Sequence, residues 1–362
     1  MPSGEDVKPN IIIDNGTKYM KEGLCGEEGP RSVFPSCVKL TNHDHNDYFG
    51  KGVSIKLNYP IKRGVPNNWD DLEKIWGKIF TNELRIAPEE HNILLTEIIQ
   101  NPKENREKMA QIMFETFNVA GLYIAKQVVL SLYSIGQLTG FVLDSGDSVT
   151  QIAPIFDGYY LPHASILKEI GGSDLTQLMK NLLVRDGYKF SVSTGNEIAN
   201  TIKEKACYVA YEYQDEVKSV ESFNYKLPDN THINIKEQRI RCPESLFDPA
   251  LNDNYEMGIA QDCFYSIKKC DSDLWKELYN CIVLSGGNTM FRGLEKRLTK
   301  EIKSLAPESM KQEVRVIASP ERKFNVWIGG SVLSAFCSIE NRWITKNEYE
   351  DEGATIIHRK CF

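Results

Sequence analysis

The sequence predicts an α/β fold and hints that the fold is doubled. Three observations carry this. Apolar strands are followed by helical stretches in repeated order. One pattern (apolar strand, aspartate, small polar residue, glycine) occurs at Asp14 and again about 130 residues later at Asp144. The length, 362 residues, suits two domains of roughly 150 residues.

The elements follow in order. Asn10–Ile13 is a short β-branched run that stops at Asp14-Asn15-Gly16-Thr17, which reads as strand into tight turn. Trp69–Phe80 carries Trp69, Leu72, Ile75, Trp76 and Ile79 on a helical stripe, with Asn67 and Asn68 as caps. Arg106–Phe117 sets Met109, Ile112, Met113 and Phe117 on one helical face. Val119–Leu132 is apolar nearly throughout and reads as a buried element, strand or helix. Gly140–Leu143 is a strand running into Asp144-Ser145-Gly146-Asp147, and Val149–Ile155 resumes it. Gly171–Asp174 precedes a capped helix, Leu175–Leu183. Asn196–Tyr208 continues as a helix with Ile198, Ile202 and Ala206 on a face. Ile282–Leu284 runs into Ser285-Gly286-Gly287-Asn288, and a helix follows at Leu294–Leu305. Lys39–Asp47 and Ser219–Asn224 read as loops. No low-complexity linker divides the chain, so the domains are expected to be discontinuous.

Composition narrows the function classes. Lysine plus arginine number 43 and aspartate plus glutamate 50, a net charge of −7. That argues against nonspecific nucleic-acid binding, which needs a basic surface to displace counterions. Nine cysteines are scattered with no CxxC spacing, which argues against a disulfide framework or a structural zinc site. The longest uncharged run, Gln127–Leu143, has 17 residues and is broken by Gly136 and Gly140; it is too short to span a bilayer. The N-terminus lacks a basic region followed by an apolar core. The expectation is a soluble protein of the cytosol or nucleus. His43-Asp44-His45-Asn46-Asp47 reads as a solvated loop or, with two histidines two apart, a metal site.

Three glycine-containing turns follow apolar strands: Asp14–Thr17, Asp144–Ser148 and Ser285–Asn288. Backbone N–H groups in such turns can converge on an anion. Two turns, each led by an aspartate, can clamp a phosphate chain and its divalent cation, with Mg²⁺ held largely through water. Lys21, just beyond the first turn, is placed to reach a phosphate. Taken one at a time each turn reads first as a plain hairpin; together they shift the reading towards a nucleotide.

Longer motifs carry a resemblance over nearly the whole chain. They include Asp14-Asn15-Gly16, Pro30–Ser36, Asn68–Trp76, Ala87–His91, Asn105–Met109 and Leu143–Asp147. Further on come Ile202–Lys205, Arg241–Glu244, Leu284–Gly287, Pro320–Lys323, Val326–Gly330 and the ending His358–Phe362. On these motifs the chain resembles the actin family, as a divergent actin-like or actin-related protein.

The resemblance implies an actin-like ATPase fold: two duplicated α/β domains split into four subdomains around a nucleotide cleft. Residues 1–35, 60–134 and 325–362 would form the first subdomain, 36–59 a shortened second, 135–170 with 255–324 the third, and 171–254 the fourth. The implied cofactors are ATP or ADP with Mg²⁺ or Ca²⁺. Asp14, Gly16, Thr17, Lys18 and Lys21 would line the first phosphate loop. Asp144, Gly146, Asp147 and Val149 would line the second, with Asp14 and Asp144 holding the cation mainly through water. Gln127 would orient the attacking water. Gly172, Lys203, Glu204, Gly287, Met290, Phe291 and Lys323 would take the adenosine side. Such hydrolysis needs positioning and charge neutralisation rather than a covalent nucleophile, which fits a slow ATPase.

The chain departs from the family pattern at telling places. Lys18 stands at the tip of the first loop where the family has glycine, so it pairs with the terminal phosphate, clashes with it and slows or bars hydrolysis, or turns its stem out to solvent. Ser148 replaces the matching glycine of the second loop, Gln151 a histidine that helps organise water, and Asn200 an arginine. Arg63 and Arg342 replace a modified histidine and an apolar residue. Lys39–Tyr59 is shorter than the family's mobile loop, and Leu251-Asn252-Asp253-Asn254 is polar where the family has an apolar plug. The expectation is an ATP-binding cytoskeletal or trafficking protein, cytoplasmic, with weak or partner-dependent hydrolysis, protein partners and poor filament formation. The alternative is a nucleotide-bound scaffold subunit of a multiprotein complex, such as a nuclear chromatin-remodelling assembly.

Overall fold

The structure is a computed structural model that describes residues 8–40, 56–190, 194–227, 230, 232–252 and 256–361. The sequence readings at His43–Asp47 and Asp253–Asn254, most of Lys39–Tyr59, and Phe362 lie outside these residues. The chain divides into two compact units: Met1–Ser134 with Val326–Phe362, and Ile135–Asn325.

The first unit is built on a mixed sheet. Its strands are β1 (Ile11–Asn15), β2 (Tyr19–Leu24), β3 (Ser32–Pro35), β4 (Asn92–Glu97) and β5 (Gly121–Lys126). Their spatial order is β3-β2-β1-β4-β5, closed at the far edge by the short strand Ile344–Thr345. β1 and β2 form an antiparallel hairpin, whereas β1, β4 and β5 run parallel. The parallel core strands are apolar on both faces, as strands covered on both sides must be: Ile11, Ile12, Ile13, Ile93, Leu94 and Leu95 are fully buried.

Helix α1 (Trp69–Lys78) is capped by Asn68, whose side chain accepts from the Asp71 amide at 3.1 Å. Its stripe of Leu72, Ile75 and Trp76 is buried, and the chain continues into a widened turn, Ile79–Leu84. The helix expected over Arg106–Phe117 begins earlier, as α2 (Lys103–Gln111), and also ends in a widened turn, Ile112–Thr116. Val119–Leu132 resolves into both alternatives: β5, then helix α3 (Gln127–Tyr133). In the helix Asn325–Ala335, Gly329 passes so close to α3 that a Cβ there would lie 1.7 Å from the Leu130 carbonyl oxygen. Only glycine allows that approach.

The second unit repeats the plan. Its strands are β6 (Gly140–Ser145), β7 (Thr150–Phe156), β8 (Tyr159–Tyr160), β9 (Ile166–Lys168), β10 (Ile282–Ser285) and β11 (Val316–Ile317). The order is β8-β7-β6-β10-β11, with β9 also on β7. Again the first two strands form an antiparallel hairpin, and the first strand pairs in parallel with a later one. The duplication hinted at by two short motifs is thus present as topology. Helices α4 (Gly172–Arg185) and α5 (Gly195–Ala206) pack in this unit; their buried Leu175, Met179, Ala199 and Ile202 share one core with Phe141, Leu143, Ile282 and Leu284.

Two loop expectations need correction. Phe223 and Asn224 open a strand, Phe223–Lys226, paired with His232–Ile235, because alternate residues face inward. Lys39 lies in the strand Val38–Leu40, paired with Lys56–Asn58. Among the described residues no helix is long and apolar enough to cross a membrane. Cys25, Cys37, Cys207, Cys242, Cys263, Cys270, Cys281 and Cys361 are free thiols.

Candidate functional site

Each unit carries an aspartate on the last turns of its first strand, and each aspartate is registered against the residue seven positions later. Asp14 pairs with Lys21 across β1–β2, and Asp144 with Gln151 across β6–β7. Both aspartates are buried, so both need donors.

In the first unit the donors are complete. Lys21 Nζ lies 2.5 Å from Asp14 Oδ2. Thr96 Oγ1 donates to Asp14 Oδ1 at 2.8 Å, and Gln127 Nε2 donates to the same oxygen at 3.2 Å. The Thr96 hydroxyl in turn accepts from the Asn15 amide at 3.0 Å. Asn15 is fixed at its other end: its Oδ1 accepts from Trp76 Nε1 at 3.0 Å and its Nδ2 donates to the Thr96 carbonyl at 3.1 Å. Strands β1, β2 and β4, with α1 and α3, thereby fix one carboxylate.

The turn beyond is held from outside. Ser36 Oγ donates to the Gly16 carbonyl at 2.6 Å, and the Ser36 amide to the Lys18 carbonyl at 2.9 Å. Thr17 Oγ1 accepts from the Gly64 amide at 3.3 Å. A Cβ on Gly16 would lie 2.3 Å from the Tyr19 carbonyl oxygen, so the tight turn excludes one. Thr17 and Lys18 are half-buried, and the Lys18 ammonium lies 5.7 Å from the centre of the Tyr19 ring.

In the second unit Gln151 Nε2 donates to Asp144 Oδ2 at 2.9 Å. The hydroxyls next to it order themselves by elimination. Thr150 Oγ1 donates to the Ile170 carbonyl at 2.7 Å, so in its 2.7 Å contact with Ser145 Oγ it accepts. Ser145 Oγ then accepts from Asn288 Nδ2 at 3.0 Å. The turn Gly146–Val149 is closed by the Gly146 amide on the Val149 carbonyl at 2.9 Å. Helix α4 begins directly against it: the Gly172 amide donates to the Gly146 carbonyl at 3.0 Å and the Ser173 amide to the Asp147 carbonyl at 2.7 Å. Gly286, at φ +87°, comes so near that a Cβ would lie 2.2 Å from the Ser145 carbonyl oxygen.

Lys203 is buried on α5, and its ammonium donates to the Gly172 carbonyl at 2.6 Å and to Thr176 Oγ1 at 2.9 Å. Beside it Asn288 Oδ1 is buried without a hydrogen-bond partner. The missing side chain of Gly172 leaves the space between them: a Cβ there would meet Lys203 Nζ at 3.4 Å and Asn288 Oδ1 at 3.6 Å. A buried acceptor that lacks a donor, next to an ammonium and a side-chain-free helix start, fits a polar ligand with both donor and acceptor groups.

The first unit therefore brings together Asp14, Gly16, Thr17, Lys18, Lys21 and Gln127. The second brings together Asp144, Gly146, Asp147, Val149, Gly172, Lys203 and Gly287. The remaining expected residues are more spread. Glu204 is exposed and accepts from Asn200 Nδ2 at 2.9 Å. Met290 is exposed, Lys323 is exposed over the Phe324 ring at 4.6 Å, and the Phe291 side chain packs in the core of its unit.

Sequence reasoning passed over Thr96 and Thr150, and gave no separate role to Asn15, Ser145 and Asn288 within the turns it singled out. Thr96 left one trace, a hydroxyl at the polar end of the apolar run Ile93–Leu95; which carboxylate it meets is decided by strand order alone. Among the described residues no group of three or more histidine, cysteine, aspartate or glutamate side chains comes together to hold a metal. In a comparison with family models, the actin model matches residues 5–362.

Proposed function

The chain belongs to the actin family, and from that premise we propose that it binds ATP or ADP with a divalent cation and acts through protein partners. Members of this family generally bind nucleotide with such a cation and commonly engage protein partners. The observation that carries the proposal is the repeated hairpin. Each unit presents a glycine turn behind a buried, hydrogen-bonded aspartate. Backbone amides in such turns suit phosphate oxygens.

In this reading Gly16, Thr17 and Lys18 receive one end of the phosphate chain, with Lys21 beside them. Gly146, Asp147 and Val149 of the second unit are likewise assigned to phosphate oxygens. Gly172, Lys203, Glu204, Gly287, Met290, Phe291 and Lys323 are assigned to the adenosine. A bound cation, Mg²⁺ or Ca²⁺, would supply charge neutralisation for the phosphates, and Asp14 and Asp144 would hold it mainly through water. Asp14 also takes the Gln127 amide N–H, which turns the amide carbonyl the other way, towards a water that needs orienting. Gln127 is too weak a base to do more, so hydrolysis is slow. Lys18 sits where charge develops on the terminal phosphate and sets the rate.

The cellular role proposed is cytoskeletal or in trafficking, in the cytoplasm, with ordinary filaments formed poorly. The sequence Leu251-Asn252-Asp253-Asn254, polar after its leucine, supports this, since unpaired polar groups are costly at a dry contact. The decisive experiment strips the purified protein of nucleotide and returns ATP with Mg²⁺. Uptake of one equivalent and a rise in thermal midpoint are expected; the absence of both would refute the reading. Phosphate release compared with Lys18→Gly tests the role of Lys18, and pelleting in Mg²⁺ and ATP tests filament formation.

A further inference from the structure

Glu22 lies in the middle of β2 and is fully buried. It is registered against Ile13 on one side and Ser32 on the other. Neither carboxyl oxygen has a hydrogen-bond partner. The polar groups that act on it are committed elsewhere. Ser32 Oγ donates to Glu83 Oε2 at 3.0 Å. Lys78 Nζ lies 2.9 Å from Glu83 Oε1 and 4.0 Å from the centre of the Phe34 ring. From β1 the facing residue is apolar Ile13; from β3 it is the Ser32 hydroxyl; from α1 and the turn after it come Lys78 and Glu83, of opposite sign. A naked carboxylate in this setting is costly, while the neutral acid is far less so.

We infer that Glu22 is a buried proton-binding site that makes the β2–β3 edge of the first unit respond to pH. Protonated, the acid lies in the core as a neutral group with Ser32 across the strand pair as its hydrogen-bond partner. Deprotonated, it needs a cation, and Lys78 is the one at hand, at the expense of Glu83 and Phe34. Burial is the main cause acting on Glu22, reinforced by the Glu83 charge and opposed by Ser32 and Lys78, and it brings the pKa up to about 7. The preceding residue, Lys21, faces the opposite side of the sheet and holds Asp14. One strand therefore carries both the proton site and a wall of the first hairpin.

The direction of the effect is fixed by linkage. The folded-state pKa lies above that of an exposed glutamate, so folded stability is greatest below about 4.5, falls as pH rises through about 7, and is level above. The test is the thermal midpoint of the full chain from pH 5 to pH 8, beside Glu22→Gln, which copies the neutral acid in shape. The two curves should meet at low pH and part as pH rises, with the wild type lower by roughly 5 °C at pH 8. A gap that does not change with pH overturns the inference. Infrared difference spectra give a second readout: a protonated carboxyl C=O band at pH 6, lost in Glu22→Gln and titrating near neutrality. Absence of a band that differs between the two proteins also overturns it. Lys78→Met, which removes the compensating cation, should move the titration upward; an unmoved midpoint removes Lys78 from the device.

Discussion

Gln151 meets Asp144 across β6–β7 with an amide N–H, at 2.9 Å, where the equivalent residue of the first unit meets its aspartate with an ammonium. The two hairpins share register and burial but differ in charge. Lys21 brings a positive charge to Asp14, while Gln151 brings none to Asp144. On the proposed reading a positive charge at position 151 would weaken the attraction of the second hairpin for a divalent cation. Gln151→Lys would make the second hairpin a copy of the first. The expected result is at least tenfold faster release of a fluorescent ATP analogue in Mg²⁺, read by stopped flow. Gln151→Glu, which adds charge, should not speed it.

Gly329→Ala tests the closest helix contact of the first unit. Its added methyl would fall 1.7 Å from the Leu130 carbonyl oxygen, a backbone atom of α3, the helix that follows β5 directly. A loss of about 3 kcal/mol or more is expected, seen as a lower urea midpoint or failure to accumulate soluble protein.

Arg297 anchors the core of the second unit. It donates through Nη2 and Nη1 to Glu244 at 2.7 and 3.1 Å, and through Nη1 to the Ala210 carbonyl at 2.8 Å. Burial pushes the Glu244 carboxyl up, and Arg297 opposes it. Arg297→Met strands that carboxylate and should cost about 3–5 kcal/mol in urea unfolding. Glu244→Gln should cost less, because Arg297 keeps Ala210 and Glu301.

Lys360 and Glu348 fasten the C-terminal turn. Lys360 Nζ lies 2.7 and 2.8 Å from the two Glu348 oxygens, and this, with the Thr345 amide, brings the carboxyl pKa down to about 2. A lowered folded-state pKa gives stability that is present above about 4.5 and disappears as pH falls through about 2. The carboxylate is a third exposed, so solvent screening holds the gain to about 1 kcal/mol or less. Lys360→Met should lower the thermal midpoint slightly at pH 7, with the difference closing in acid.

Much of the fold was legible because its signals are local. The stripe in α1, the cap at Asn68 and the glycine turns after strands are short-range patterns, and the structure contains each of them. Element edges were less legible. Asp14 and Asn15 read as turn residues but stay in β1, because Thr96 and Trp76 supply from other elements the bonds that a turn would have supplied. Val119–Leu132 could not be divided by periodicity, since strand and helix there are both buried. The candidate site was legible as glycines and aspartates, not as the network behind them. Thr96 acts on Asp14 from 82 positions away, and Asn288 on Ser145 from 143; nothing in a one-dimensional pattern joins such pairs.

The discontinuity of the first unit has a consequence for biosynthesis. The Trp327 indole donates to the Ile12 carbonyl, 315 residues apart along the chain, and Ile344 completes the sheet beside Leu122. A ribosome delivers β1 long before either arrives, whereas Ile135–Asn325 is one unbroken stretch. The younger segment can settle while the older one waits with apolar strands uncovered. Newly made chains should therefore pass through a stage in which the first-translated sheet is the last to mature, and in which it is most open to aggregation or to a factor that shields it.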